Sequence, residues 1–147
     1  MSSTPVATIV AHLDALLAVP STPDYPPALN GLQVGHRGPV TRVAAAVDCS
    51  RRTIDDAARA GANLLLVHHG LFWSGLQPLV GAHEARVRAL FDADIALYSA
   101  HLPLDAHSTF GNSALLAKTL GLHATAGFAR HEQIHCGVRG EAELDTD

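Results

Sequence analysis

Leu64-Leu65-Leu66-Val67-His68-His69-Gly70-Leu71-Phe72 joins a solid apolar run to two adjacent histidines and a glycine. Four apolar residues without polar alternation read as a short strand buried on both faces, the kind found in parallel sheets. His68 and His69 then fall at its carboxyl end, the edge where open α/β sheets gather ligands. A histidine pair still inside the ladder would aim its rings at opposite faces. Gly70 is therefore expected to turn the chain at once and let both imidazoles address one crevice. Imidazole suits divalent Zn, Fe and Ni, and adjacent rings can serve one ion or two neighbouring ions. The plainer alternative is one hydrogen-bonded core histidine beside one loop histidine.

The same strand pattern recurs on either side. Arg42 to Val47 reads as the strand before it, with Asp48-Cys49-Ser50 as its exit and as the cap of a helix running to about Ala60. Ile54, Ala57 and Ala58 are expected to face inward on that helix, and Gly61 to stop it. After residues 72–81, rich in turn formers, a helix is predicted from His83 to Asp92 with Val87, Leu90 and Phe91 on one side. Ile95 to Ala100 is the third strand and ends, like the second, on a histidine, His101. Strand, helix, strand, helix, strand predicts an α/β fold: a mostly parallel sheet with right-handed crossovers and helices packed on it. Both histidine-bearing strand ends then share one edge, and Asp105 follows on the loop leaving it.

Farther out, Thr4-Pro5 predicts a capped opening for a helix with Val6, Ile9, Val10, Leu13, Leu16 and Leu17 on its apolar face. Prolines 20, 23, 26 and 27 hold a rigid loop, and Leu32 to Val34 is a short extended piece. Asn112 or Ser113 is expected to cap a helix through Leu120 that Gly121 closes. Ile134 to Val138 reads as a further strand before an acidic tail.

The totals bound the function. A chain of 147 residues is one domain by length, residues 1–147, and needs no disulfides to bury a core. Hydrophobic content of 48% against 16% charged residues excludes a disordered chain. A net charge of −4 without a basic run gives no electrostatic footprint for nucleic acid. No leader or membrane span is signalled, so no membrane partner and a cytoplasmic location are expected. Cys49 and Cys136 match no CxxC spacing and read as reduced thiols without catalytic duty. The ten histidines raise the prior for metal or proton chemistry.

By this topology His68, His69, His101 and Asp105 converge from two strand ends. A mixed imidazole and carboxylate set suits Zn, Fe, Mn or Ni, and three or four ligands on one side leave coordination positions open, as in hydrolytic sites. His101 has a second reading, in which it only donates a hydrogen bond that orients Asp105.

Four motifs carry a family resemblance over nearly the whole chain: Asn30-Gly31-Leu32-Gln33-Val34-Gly35, Val67 through Trp73, Ser99 through Asp105, and Gly111-Asn112 through Leu122. In this order and spacing they resemble the YbgI-type dinuclear-metal family, whose members often carry the name GTP cyclohydrolase 1 type 2 homologue. The resemblance implies that His68 binds one divalent ion while His69 and Asp105 bind a second, two per subunit. It also implies a homo-oligomer, typically a toroidal hexamer with the metal sites facing inward. Family members continue into a C-terminal half in which a histidine and, four residues on, a glutamate complete the site. His131-Glu132 does not have that spacing, so the expected match is to the N-terminal half only.

Two functional readings follow. In the first, a metal-dependent hydrolase of a small polar or nucleotide-like molecule, the ion held by His69 and Asp105 lowers the pKa of a water, and His101 is the catalytic proton shuttle. In the second, a non-enzymatic metal-binding or assembly protein carries an incomplete site.

Overall fold

The computed structural model describes residues 3–143, so the end of the acidic tail lies outside the described residues. Its centre is a four-stranded sheet of β2 (Gly31–Val34), β4 (Val43–Asp48), β5 (Leu64–His69) and β6 (Ala96–Ser99), in the order β2-β6-β5-β4. β4, β5 and β6 run parallel, and β2 joins the far edge antiparallel with an irregularity between Leu32 and Val34. The mostly parallel α/β fold expected from the strand and helix alternation is the fold observed.

The apolar run of β5 is explained by what covers its faces. On one side Leu65 and Val67 join Leu97, Ile54, Ala57 and Leu90 beneath α2 (Arg51–Arg59) and α3 (Gly81–Asp92). On the other, Leu64, Ala96 and Tyr98 form a second core with Val6, Ile9, Val10 and Leu13 of α1 (Val6–Leu16). Residues alternating along one strand thus enter two different cores, and both faces of the strand are covered over most of its length. The Tyr98 hydroxyl donates to Asp14 Oδ1 at 2.7 Å, which ties α1 to the central strand.

Helix signals were legible to different degrees. Ser50 caps α2 in a reciprocal box: its hydroxyl accepts the Thr53 N–H at 3.1 Å, and the Thr53 hydroxyl accepts the Ser50 N–H at 2.9 Å. Gly61 follows α2 with φ +69°, the left-handed turn that favours glycine after a helix. Other expectations are corrected. Thr4 does not cap α1, because Thr4–Pro5 is a short strand, β1, paired with β3 (Pro39–Val40). Ala58 and Phe91 face outward, and both histidines of β5 remain within the strand. Asp105 lies on a single helical turn, α4 (Leu102–Asp105), and not on a loop. Neither Asn112 nor Ser113 caps α5 (Asn112–Thr119), whose N-cap is Gly111. Their side chains are drawn elsewhere, Asn112 to Asp105 and Ser113 to the carbonyl of Cys136.

The strand expected at Ile134 is one arm of a hairpin. β7 (His123–His131) pairs antiparallel with β8 (Ile134–Glu141), and β7 is exposed along almost its whole length. Without a buried face it lacks the apolar alternation that marks a strand in sequence. Among the described residues no helix is long and apolar enough to cross a membrane.

Two measurements check this packing. Ile54→Ala, in a site with no exposed surface, is expected to lower unfolding free energy by about 2–5 kcal/mol. Leu76→Ala, on a fully exposed side chain, should stay within about 0.5 kcal/mol; chemical denaturation compares the two. Cys49 and Cys136 are free thiols, and burial pushes Cys49 up to about 11 against the pull of Arg86. Its alkylation in the folded protein should therefore stay slow at pH 9, where an ordinary thiol of pKa 9.0 is half ionised. Between pH 9 and 11 the unfolded chain loses this proton while the folded chain keeps it. Stability is expected to fall across that window in the native sequence and to fall less in Cys49→Ala.

Candidate metal centre

The carboxyl edge of β5 and β6 brings three imidazoles together. Ligand atoms of His68, His69 and His101 all lie within 4.8 Å of one another. The ring centroids are 4.6 Å apart for His68 and His69, and 4.8 Å for His68 and His101. The adjacent pair lies close together without leaving the ladder, since both histidines belong to β5 and His69 still pairs with Asp48. Gly70 is required for a reason other than a turn. A Cβ there would run into the side-chain amide of Gln33, whose Oε1 accepts the Leu71 N–H at 2.8 Å. The Gln33 amide nitrogen donates to the carbonyls of Ala28 and Leu29. Gln33 thereby fastens the β5 exit to the proline-rich loop.

Each imidazole is held by its Nδ1. His68 Nδ1 donates to the carbonyl of Ala100 at 3.1 Å, His69 Nδ1 to Asp48 Oδ1 at 2.7 Å, and His101 Nδ1 to Asp24 Oδ1 at 2.8 Å. A backbone carbonyl only accepts, so His68 carries its neutral-form proton on Nδ1 and keeps the lone pair on Nε2. The two carboxylates select the same tautomer at His69 and His101. Burial drives His68 below the usual imidazole value of 6.5, over the opposing effects of the Asp105 carboxylate and the Ala100 carbonyl. It is thus neutral at pH 7, the form that can ligate.

Asp24 and Asp48 were not among the residues expected to matter. Asp24 has a nearly buried side chain and accepts from His101, from Asn30 Nδ2 at 2.7 Å, and from the N–H groups of Tyr25 and Leu102. Burial pushes its carboxyl up, but the hydrogen bonds from Asn30, His101, Leu102 and Tyr25 outweigh that and hold it below the ordinary 3.8. Asn30 closes the ring by accepting the His101 N–H at 2.7 Å. Asp48 ends β4 opposite His69 in the ladder, so its place at the carboxyl edge was available as a signal. Asp24 sits in a proline-rich loop with no periodicity, and only contacts distant in sequence reveal it.

Asp105 lies on the same side, with Oδ2 3.5 Å from His68 Nε2. Asn112 Nδ2 donates to its other oxygen at 3.0 Å. A Cβ at Gly111 would press on the carbonyls of His107, Asp105 and Leu104, so glycine lets α5 start close enough for that bond. The carboxylate thus stands beside His68, while its pairing with His69 is what the resemblance implies. His101 pairs with Asp24 and does not orient Asp105.

A mostly parallel α/β sheet with anchored imidazoles converging at its carboxyl edge defines a class of proteins in which a histidine cluster occupies the ligand-binding end of the strands. Within it, the chain belongs to the Duf34/NIF3 (NGG1p interacting factor 3) family, whose model matches residues 4–146. It is 57% identical over 120 residues to the GTP cyclohydrolase 1 type 2 homolog of Treponema pallidum, covering 81% of this chain and 42% of that one. To the homolog of Deinococcus radiodurans it is 44% identical over 132 residues, 90% of this chain and 49% of the relative. Among solved structures, TTHA1606 from Thermus thermophilus superposes with a TM-score of 0.81 at 42% identity, over 86% of this chain and 52% of that one. The protein ybgI gives 0.78 at 38% identity, over 84% and 49%. The chain spans about half the length of the curated relatives it matches.

Proposed function

We propose that this chain binds a divalent metal ion through His68, His69 and His101, with Asp105 as a neighbouring carboxylate, and that it serves a metal-dependent hydrolase acting on a small polar or nucleotide-like substrate. The observation that carries this reading is the anchoring of all three Nδ1 atoms, which leaves three Nε2 lone pairs at one strand edge. Nearly every metal-binding histidine donates its other N–H to a carboxylate or carbonyl in this way. Three imidazoles with one carboxylate suit Zn, Fe, Mn or Ni, and catalytic sites commonly use three protein ligands. A bound ion would supply Lewis acidity at neutral pH.

The chain's own residues do the remaining work. Asp24 and Asp48 hold the rings of His101 and His69 in register. Asp105, held by Asn112, is placed to accept a proton or a hydrogen bond at Oδ2 beside His68. His101, with Nδ1 held by Asp24, keeps Nε2 for a ligand bond or for the proton shuttling expected of it. The relatives' name, GTP cyclohydrolase 1 type 2 homolog, supports a nucleotide-like substrate. A second reading, a non-enzymatic metal-binding or assembly protein, is favoured by the exposed Leu115 and Leu116 of α5, Leu120 just after it and Phe128 of β7. The same surface supports a homo-oligomer. We place the protein in the cytoplasm, consistent with its free thiols.

Co²⁺ titration tests the site, read by visible absorption and by quenching of the single tryptophan, whose ring centroid is 4.4 Å from that of His101. Saturable binding is expected, weakened at least about tenfold in His68→Ala, His69→Ala or His101→Ala and about 10–100-fold in Asp24→Asn or Asp48→Asn. Unchanged binding in the His68→Ala, His101→Ala double variant would overturn the metal centre. Turnover of a panel of hydrolysable small molecules with Mn, Fe, Zn or Ni, absent with chelator, is expected of the hydrolase. No turnover with any ion, while Co²⁺ still binds, favours the non-enzymatic reading.

A further inference from the structure

The histidine cluster is bordered by aromatic side chains that neither its hydrogen bonding nor the core requires. Trp73 lies edge-to-face against His101, with centroids 4.4 Å apart and planes at 81°, and its ring is 5.6 Å from that of His69. Tyr25 lies 6.3 Å from His101 and 5.0 Å from His131, the last residue of β7. Trp73 is only half-buried, and Tyr25 is 52% exposed. Apolar rings of this size gain most by full burial, and no core claims these two.

Both rings sit on segments fixed from below. Tyr25 stands between Asp24 and the turn Pro26–Ala28 in an extended conformation, and its N–H donates to the Asp24 carboxylate that also holds His101. Trp73 sits inside a turn closed by the Gly75 N–H donating to the Phe72 carbonyl at 2.7 Å, with Gly75 at φ +74°. That turn follows Leu71, which Gln33 pins. Exposed aromatic side chains on pre-set backbone bind with little ordering cost, and both belong to the surroundings of one imidazole.

We propose that Trp73 and Tyr25 are stacking platforms that select a substrate carrying a planar heteroaromatic ring and hold that ring beside His101. The chemistry decides against the other ligands aromatic rings attract. A quaternary or ammonium ligand would suit an aromatic cage, but here it would face a divalent cation. An aliphatic chain would gain nothing from ring faces over any apolar wall. A flat ring, neutral or anionic, gains dispersion from each platform it meets and can turn an edge nitrogen or oxygen toward the imidazole edge. The proposal rests on the metal-site reading for that orientation and extends it to the class of substrate.

The test uses guanosine and pterin as ring probes and ribose 5-phosphate as a polar probe without a ring, each titrated calorimetrically in the presence of Zn²⁺. The ring probes are expected to bind the unaltered protein more tightly than ribose 5-phosphate. Tyr25→Leu and Trp73→Leu should each weaken ring binding about tenfold, the scale of one lost stacking contact. Tyr25→Phe and Trp73→Phe should keep most of it, which separates loss of a ring face from loss of fold. Ring affinity unchanged in the leucine variants, or ring probes that bind no better than ribose 5-phosphate, would overturn the proposal. Co²⁺ absorption measured on the same proteins distinguishes the two readings. If it saturates in all of them while ring affinity ignores Tyr25 and Trp73, the platforms fail and the metal centre stands. If Co²⁺ does not bind the unaltered protein, the metal centre itself fails.

Discussion

Burial of β5 and β6 on both faces is the constraint on which the rest depends. A strand covered by helices on each side tolerates buried hydroxyls that find a partner, but imidazoles meant for a ligand only where the cover ends. On β5 that boundary falls between Val67, 4% exposed, and His68. On β6 it falls just after Ser99, with no exposed surface, and Ala100, 5% exposed, so that His101 is the first residue able to leave. Because the two strands are parallel neighbours with Val67 opposite Ser99, their polar residues emerge side by side. An antiparallel pair would have sent them to opposite edges.

Convergence alone would not make a binding site, since three free imidazoles would rotate apart. The carboxylates of Asp24 and Asp48 and the carbonyl of Ala100 remove that freedom, each by a single bond to Nδ1. Asp24 does most. Its carboxylate fixes a ring, the N–H that opens the α4 turn and the proline-rich loop, so one buried group sets the positions of His101, Leu102 and Tyr25 together. Asn30 and Gln33, from the motif Asn30 to Gly35, have a comparable structural duty: one accepts the His101 N–H, the other the Leu71 N–H. Residues that carried the family resemblance in sequence thus act by positioning the backbone that presents the histidine cluster.

The legible parts of the sequence were those written in local chemistry. The apolar run of β5, the Ser50 cap and the glycine after α2 each depend on neighbours a few residues away, and each was found where expected. The illegible parts depend on distant partners. Thr4 has the chemistry of a cap, but its backbone pairs with Val40. Asn112 has the same chemistry, but its amide is taken by Asp105, which a Cβ at Gly111 would have kept away. β7 was missed because a strand exposed on both faces has no period to detect. At the site, His68, His69, His101 and Asp105 could be gathered from topology, whereas Asp24, 77 residues from the ring it holds, could not.

The electrostatics of the edge explain why imidazoles are tolerated there in such number. Protonating three rings with centroids 4.6 to 5.6 Å apart would set like charges against each other. Burial of His68 makes its charged form costlier still. Around these rings stand Asp24, Asp48 and Asp105, acceptors that donate nothing when ionised. Carboxylates gathered round a site are ordinarily balanced by a cation. Among side chains, arginine or lysine would normally fill that role, yet no Arg or Lys forms a salt bridge to Asp24, Asp48 or Asp105 among the described residues. The divalent cation proposed for this edge would meet both the lone pairs and the surrounding carboxylates at once.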